Sequence, residues 1–454
     1  MSISGSNQKY FIYSGQRNDD IPDVPLAKVD PTIKAIPENG FEGCYLLTSV
    51  VLHEGLEEIG ESAFRYCSSL SAVAIPTLIK KIPAKTFYEC YQLSRVDLPK
   101  GLEEIGESAF YKCNSLLAIV IPQFVRAVPR WAFRDCTQLT SVVLPEGLEE
   151  IGESAFYSCR SLVAIVIPPL VKRIRKSAFN DCWQLKKVDL PDGLEEIGMM
   201  AFYLCRSLRA IVIPQSVKEI HNGAFDACRQ LTSVVLPVGL KEIRADVFCS
   251  CSSLRAIEIP QTVKEIHNRA FQYCTQLSRV ALPEGLEKIG MMAFSDCSSL
   301  LAITIPKSVV EIHSGAFNNC SQLTHVQFCE AIEVFVSGES MHDWWNHGVS
   351  KTSLRTYCFF ARCKIPARVG YVRARKWQAN IHEMLRHIPS IPDNELNAYF
   401  ESINSKLSLY ENLNEAPMLL ELSIYRGNAF PNTNIDDLLS TDIVPRILSY
   451  LIEG

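Results

Sequence analysis

The sequence predicts an α/β repeat solenoid with a parallel sheet on its concave side, followed by a small all-α C-terminal domain. Thirteen Phe-x-x-Cys units recur every 23 residues, from Phe41 and Cys44 to Phe317 and Cys320, and a Leu follows each of these Cys by three residues. After residue 328 this period ends and the apolar spacing becomes helical. A fixed period in this range is typical of solenoids and outranks any local assignment of secondary structure.

The composition is that of a globular protein. Of 454 residues, 47% are hydrophobic and 21% are charged, which excludes a disordered chain. The formal net charge of -5 argues against nucleic acid as a partner. We expect neither a signal peptide nor a membrane-spanning helix, because the N-terminus lacks a basic and then apolar segment and no apolar run reaches about 18 residues. The expected location is the cytoplasm or the nucleus, and non-classical export to the cell surface stays open.

Residues 1–36 are predicted to form the N-terminal cap. The segment from Tyr10 to Tyr13 is apolar, and Val29, Ile33 and Ile36 keep the frame of a degenerate turn. The first turn of a solenoid has to shield the core from water, and such a degenerate turn suits that role.

Residues 37–328 are predicted to be the solenoid itself. In one turn, Ser141 to Leu144 alternate as a short parallel strand does, and a proline ends the strand. Leu148 to Ile151 then turn the chain back, with Gly147 and Gly152 free to take unusual dihedral angles. The segment from Ala155 to Cys159 fits a single helical or 3₁₀ turn. One such unit cannot bury its own apolar side chains, so stacking of the turns in register is expected to form a continuous core.

This pattern resembles the leucine-rich repeats of the BspA type, over about residues 27 to 328. It lacks the Asn ladder of common leucine-rich repeats and carries Pro after the strand instead, with His53 and Cys329 in that place in the end units. The resemblance implies a leucine-rich-repeat horseshoe. It also implies a role in adhesion or protein recognition, as in the bacteria and single-celled eukaryotes where the family is found, and it implies no catalytic residues.

A period of two turns overlies the first. The strand ends alternately in Leu and in Ile, and charge alternates along the column Glu57, Lys80, Glu103, Arg126, Glu149, Lys172, Glu195 and Lys218. Stacked turns bring successive members of this column to about 5 Å. We expect ion pairs that oppose slips of register and contribute only about 0.2–1 kcal/mol each to stability.

The chain holds 17 cysteines, and the periodic ones are expected to be buried free thiols. Side chains of turns stacked in register point the same way at about 5 Å, which is beyond the usual disulfide spacing. His221, His267 and His313 lie two turns apart, too far to share a metal ion. The pair His382 and His387 is one residue too long for a zinc-protease motif. No catalytic residue, metal or cofactor is therefore predicted.

The chain after the solenoid is divided into two parts. Residues 329–350 are predicted to be a capping strand followed by a linker, and the strand shows an alternating pattern with Ile332 and Val334. Residues 351–454 are predicted to be a helical C-terminal domain. A basic patch in that domain consists of Arg368, Arg373, Arg375 and Lys376. This patch could bind nucleic acid, anionic lipid or another acidic partner, or it could pair with the acidic second half of its own domain.

The outward strand positions of successive turns define the candidate binding surface, the concave face. They combine exposed valines, two pairs of opposite charge and one further carboxylate: Val120, Val143, Val166, Val212, Val235, Arg95, Asp97, Lys187, Asp189 and Glu258. An exposed apolar strip of this kind usually marks a protein partner. Valine is also common in strands whatever they bind, so both interpretations stay open.

The function that these observations favour is a non-enzymatic scaffold that binds a protein partner on the concave face. No small-molecule substrate is expected, and the sequence does not indicate an oligomeric state. Two alternatives remain: an adhesion protein exported without a signal peptide, and a nucleic-acid or anionic-lipid binder that works through the basic tail.

Overall fold

The structure is a computed structural model that describes residues 10–15 and 24–335, apart from residues 307, 310, 314, 324 and 329–331. Its strands, in chain order, are β1 (Phe11–Tyr13), β2 (Leu26–Val29), β3 (Ala35–Ile36), β4 (Ser49–Val51), β5 (Glu58–Ile59), β6 (Ala72–Ala74), β7 (Lys81–Ile82), β8 (Arg95–Asp97), β9 (Glu104–Ile105), β10 (Ala118–Val120), β11 (Ala127–Val128), β12 (Ser141–Val143), β13 (Glu150–Ile151), β14 (Ala164–Val166), β15 (Arg173–Ile174), β16 (Lys187–Asp189), β17 (Glu196–Ile197), β18 (Ala210–Val212), β19 (Glu219–Ile220), β20 (Ser233–Val235), β21 (Glu242–Ile243), β22 (Ala256–Glu258), β23 (Glu265–Ile266), β24 (Arg279–Ala281), β25 (Lys288–Ile289), β26 (Ala302–Ile305), β27 (Glu311–Ile312), β28 (His325–Phe328) and β29 (Ile332–Phe335).

These strands form two parallel columns, one strand of each column per coil. In the first column, β10 pairs with β12 so that Val120 lies opposite Val143. In the second, β15 pairs with β17 so that Ile174 lies opposite Ile197. From β2 to β28, paired residues are 23 positions apart, because the coils stack in register. The predicted parallel-strand solenoid is confirmed.

The core is a stack of the periodic apolar side chains. The Phe rings of successive coils lie nearly parallel, with ring centroids 5.4 Å apart from Phe133 through Phe225. Phe179 is fully buried between Phe156 and Phe202. Burying a large aromatic ring removes about 150–250 Å² of surface from water, so this stack supplies much of the hydrophobic stabilisation.

The helical or 3₁₀ turn predicted for Ala155–Cys159 is wrong, and the described residues contain no helix. Ser154 and Ser158 have left-handed φ angles of 52° and 55°, so the N–H groups of Tyr157 and Cys159 close isolated turns and no run of consecutive helical bonds forms. Instead, the backbone N–H groups of Ser154, Phe156 and Ser158 donate to carbonyl oxygens of the next coil at 2.7–2.9 Å. These bonds satisfy buried donors and offset the cost of the left-handed residues. The α part of the predicted α/β class therefore does not hold here.

The periodic cysteines are free and buried, as predicted. Each of the twelve from Cys67 to Cys320 donates its S–H to the carbonyl of the Phe 26 residues earlier; for Cys159 this Sγ–O distance is 3.2 Å. Burial, the largest cause, raises the pKa of the Cys159 thiol well above its usual range. Cys249, outside the periodic column, is also buried, with its pKa raised by burial to about 12.

Gly147 and Gly152 do not have the unusual dihedral angles expected from the sequence, since neither φ is positive. The need for glycine at these two positions follows instead from the close approach of the preceding coil. A Cβ on Gly152 would lie 2.7 Å from the backbone N of Arg130 and the backbone C of Pro129 in the preceding coil. A Cβ on Gly147 would lie 2.5 Å from Nη1 of Arg126, which donates to the Gly147 carbonyl at 3.0 Å. Glycine at these places lets adjacent coils touch.

This explanation predicts different costs for two glycines. Gly152→Ala is expected to lower the free energy of unfolding by about 1–3 kcal/mol, because the methyl group meets backbone that cannot move aside. Gly239→Ala is the matched control, since nothing lies within 4 Å of its Cβ position, and it should change stability by less than about 0.5 kcal/mol. Urea unfolding midpoints measure both. Equal destabilisation by the two variants would contradict the close-approach explanation.

The two-turn period has a structural counterpart. The strand-ending Ile121, Ile167 and Ile213 are buried, whereas Leu98 and Leu144 are only partly buried. Each of these Ile residues donates its N–H to the next coil, as Ile121 does to the Val143 carbonyl at 2.9 Å.

The predicted charge ladder is also present. It includes the ion pairs Lys80–Glu103 at 3.4 Å and Lys218–Glu195 at 3.0 Å, both largely exposed.

Both described ends of the solenoid carry an additional strand. At the N-terminal end, β1 pairs in parallel with β2. At the other end, β29 pairs antiparallel with β28, which reverses the direction of the chain. In the described ranges no helix is long and apolar enough to cross a membrane. The predicted helical C-terminal domain, residues 351–454, lies outside the described residues.

Candidate functional site

The first strand column presents an exposed surface, which we call the strand face. It consists of the first and third residues of the three-residue strands from β4 to β24. The middle residue of each of these strands is buried, except in β20 where it is partly buried. The alternation follows from the strand period of two. All ten residues predicted for the concave face lie on the strand face.

The centre of the strand face is apolar. Val120, Val143 and Val166 occupy the same strand position in three successive coils, and their exposed fractions are 63%, 52% and 65%. Val212 and Val235 form a second apolar pair, at 67% and 50%, in register with each other. Single exposed apolar side chains are ordinary, whereas contiguous exposed apolar rows are typical of interaction surfaces in general.

Charged residues interrupt this apolar strip. Arg95 and Asp97 pair along one strand with an Nε–Oδ1 distance of 3.0 Å, and Lys187 and Asp189 pair with an Nζ–Oδ2 distance of 2.7 Å. Asp189 lies in register with Val166, where it ends the first valine row. Glu258, also exposed, lies one coil after Val235. The charges therefore divide the strand face into segments that an extended partner would meet in order.

Four exposed apolar residues beside the strip were not predicted. Leu117 and Val163 directly precede β10 and β14, and Phe124 and Leu170 lie in the turns that follow these strands; their exposed fractions are 51%, 38%, 51% and 47%. In the intervening coils Thr140 and Gly147 occupy the corresponding places. The sequence signal that could have identified these residues is the alternation of apolar and other residues every two coils, at positions just outside the strands. These residues widen the apolar strip around Val143.

The other chemical candidates do not converge on a reactive site. His221 lies 3.0 Å from a carboxylate oxygen of Glu196, and His267 lies 2.8 Å from one of Glu242, so each histidine contacts a surface carboxylate of the preceding coil. Within the part of the chain that the structure describes, no three His, Cys, Asp or Glu side chains come close enough to share a metal ion. The basic patch of Arg368, Arg373, Arg375 and Lys376 lies outside the described residues.

Comparisons with known proteins agree with this architecture. The sequence matches the family model for the BspA type leucine-rich repeat region over residues 27–140, 127–255 and 241–341. A leucine-rich repeat protein from Bacteroides ovatus is 30% identical, with 64% of this chain and 75% of that chain covered and a TM-score of 0.57. A leucine-rich cell surface protein from Faecalibacterium prausnitzii is 27% identical, with 72% and 89% covered and a TM-score of 0.44. The comparison with curated proteins gave no significant match.

Proposed function

Because the chain belongs to the BspA-type leucine-rich repeat family, we propose that it is a non-enzymatic scaffold that recognises a protein partner through its strand face. Proteins built from leucine-rich repeats are in general scaffolds for protein interaction or surface recognition. One observation supports the strand face as the recognition surface. The three valines Val120, Val143 and Val166 are each more than half exposed in consecutive coils, at the centre of a rigid parallel ladder.

The geometry of this face suits an extended partner. The strand positions repeat with every coil, so contacts can accumulate along the stack as they do on other solenoids. The apolar centre supplies area that gains free energy when it is removed from water, roughly 25 cal/mol per Å². The charge pairs at Arg95–Asp97 and Lys187–Asp189 lie at the two ends of the valine row, where they form a polar rim.

A double substitution at the centre of the strip tests this proposal. Changing Val143 and Val166 to Glu should leave the fold intact, since both side chains point to solvent and such changes usually alter stability by less than about 0.5 kcal/mol. Binding of the partner should fall at least about tenfold, because two carboxylates would have to lose water at the contact. The measurement is capture of co-purifying proteins on the immobilised chain, followed by titration of the captured partner.

The chain offers a matched control for this test. Met199 and Met291 lie beyond the second strand column, at a position that Glu107 and Glu153 occupy in other coils. Changing both to Glu adds the same charge in place of apolar side chains, away from the strand face, and should leave binding unchanged. Should the folded valine variant bind the partner as tightly as the native chain, the strand face is not the recognition surface.

A further inference from the structure

A row of cations without acidic partners runs beside the strand face. We call it the basic edge: Lys186, Arg206, Arg209, Arg229, Arg255 and Arg279. The first five lie one to four residues before the strands β16, β18, β20 and β22, and Arg279 is the first residue of β24, where the row reaches the strand face. Arg206 is partly buried and the other five are exposed. The row spans five successive coils, and with about 5.4 Å between neighbouring coils it is roughly 20 Å long.

Backbone hydrogen bonds fix the position that carries Lys186, Arg209 and Arg255. The N–H of Lys186 donates to the Val163 carbonyl at 2.8 Å, that of Thr232 to the Arg209 carbonyl at 2.8 Å, and that of Ser278 to the Arg255 carbonyl at 3.0 Å. These bonds join equivalent positions of consecutive coils, so Lys186, Arg209 and Arg255 project from one regular ladder, with Arg206 and Arg229 three positions earlier in their coils and Arg279 one position later.

The basic edge differs from the other charged surfaces of the solenoid. On the second strand column Lys and Arg pair with Glu of a neighbouring coil, as Lys81 does with Glu104 at 2.8 Å. Among the described residues, none of the six basic-edge cations forms an ion pair. The chain segments that carry them, 182–187, 205–210, 228–233, 251–256 and 274–279, contain no Asp or Glu. A concentration of unpaired positive charge in a chain of net charge -5 attracts an acidic ligand.

Two neighbouring features distinguish between acidic ligands. Val212 and Val235 lie on the same coils as Arg209 and Arg229, so a ligand that crosses both surfaces meets apolar side chains as well as cations. Asp189 and Glu258 lie on the strand face on either side of these valines, where they would repel a chain of phosphates. Acidic and apolar groups in alternation are a property of polypeptides, and Arg binds carboxylates through its two-pronged guanidinium group.

The aromatic content also argues against single-stranded nucleic acid. Trp183 is the one aromatic residue in the five segments. Its ring is covered by the guanidinium groups of Arg160 at 4.4 Å and Arg206 at 4.6 Å. A base therefore has no free ring on which to stack, although such stacking is the usual source of affinity for single strands.

We propose that the basic edge binds the carboxylates of an acidic segment in the protein partner, whose apolar side chains lie on Val212 and Val235. This inference rests on the proposed function, because it assigns the chemistry of the partner that the strand face recognises. It predicts a partner segment in which at least three Asp or Glu residues alternate with apolar residues over about 20 Å, or roughly six extended residues.

Selection of peptides from a random twelve-residue display library on the immobilised full chain tests this inference. The native chain should enrich peptides with at least three acidic residues among apolar ones. The variant Arg206→Gln, Arg209→Gln, Arg229→Gln should lose the acidic preference, and it should bind an enriched peptide at least tenfold more weakly by fluorescence anisotropy. The control Lys80→Gln, Lys81→Gln, Arg126→Gln removes the same charge from the second column and its preceding turn, and it should behave like the native chain.

Three outcomes would overturn the inference. The first is unchanged acidic enrichment by the arginine variant; the second is enrichment of neutral or basic peptides by the native chain. The third is tighter binding of a 24-nucleotide DNA, single-stranded or duplex, than of the enriched peptide, with loss in the arginine variant, which would make the basic edge a nucleic-acid surface. None of these outcomes depends on Val143 or Val166. Failure of the strand-face proposal is recognised separately, by unchanged partner binding in the Val143→Glu, Val166→Glu variant.

Discussion

Replacing Phe179 by Ala is expected to lower the local free energy of unfolding by about 3–5 kcal/mol. The ring is fully buried and stacks between Phe156 and Phe202, with both centroids 5.4 Å away. Its removal leaves a cavity and breaks two ring contacts at once. Because each coil contacts only its neighbours, hydrogen exchange should accelerate mainly in peptides from residues 156–202.

The same substitution at an exposed ring provides the control. Phe124 is half exposed, so Phe124→Ala should cost less than about 1 kcal/mol and leave exchange across the core coils unchanged. Hydrogen-exchange mass spectrometry of both variants makes the comparison. Uniformly faster exchange along the whole solenoid in the Phe179 variant would contradict a stack of nearest-neighbour coils and indicate one cooperative core.

The second large effect is expected in the reactivity of the thiols. The twelve periodic cysteines from Cys67 to Cys320 are buried and hydrogen-bonded to Phe carbonyls, and burial raises the pKa of thiols such as Cys159 and Cys205 far from the range where a thiolate forms. A thiol reagent should therefore modify Cys159 and Cys205 roughly 10³-fold more slowly in the native chain than in the unfolded chain, since reaction requires local opening that costs several kcal/mol.

Mass spectrometry after a timed reaction measures this protection. The 14 described cysteines should be modified only after denaturant is added, including Cys249, which lies outside the periodic column but is also buried. The unfolded chain should carry 17 modified thiols. Rapid native labelling of the periodic column, or disulfides between successive periodic cysteines, would contradict the packing of this core.

The periodic sequence was sufficient to predict the stack, the strand register and the buried set. Phe179, Cys182 and Leu185 recur at a fixed interval, and only stacking of equivalent positions can bury all of their copies. The turn conformations could not be predicted in the same way. Ser154 and Ser158 take left-handed angles because their N–H groups bond to the next coil, and an interaction between coils is not visible in local propensity. The role of Gly152 likewise depends on the backbone of another coil.

For the candidate site, the sequence was sufficient to predict which strand residues are exposed, but not which residues outside the strands are. Strand alternation placed Val120, Val143 and Val166 on the exposed face, because a period of two leaves no other orientation. Leu117, Phe124 and the basic edge other than Arg279 lie just outside the strands, where alternation does not apply and exposure depends on how each coil turns. Only the structure shows that these side chains are exposed.

Hydrogen exchange of the chain with and without its captured partner tests the central claim most directly. Partner binding should slow exchange in peptides that contain β10, β12 and β14, and, if the basic edge takes part, in those that contain β18 and β20. Peptides of the second strand column, from β11 to β21, should exchange as they do in the free chain, apart from any amides that are hydrogen-bonded to the first strand column. Protection confined to the second column, or no change anywhere in residues 24–335 when the partner is bound, would contradict recognition by the strand face.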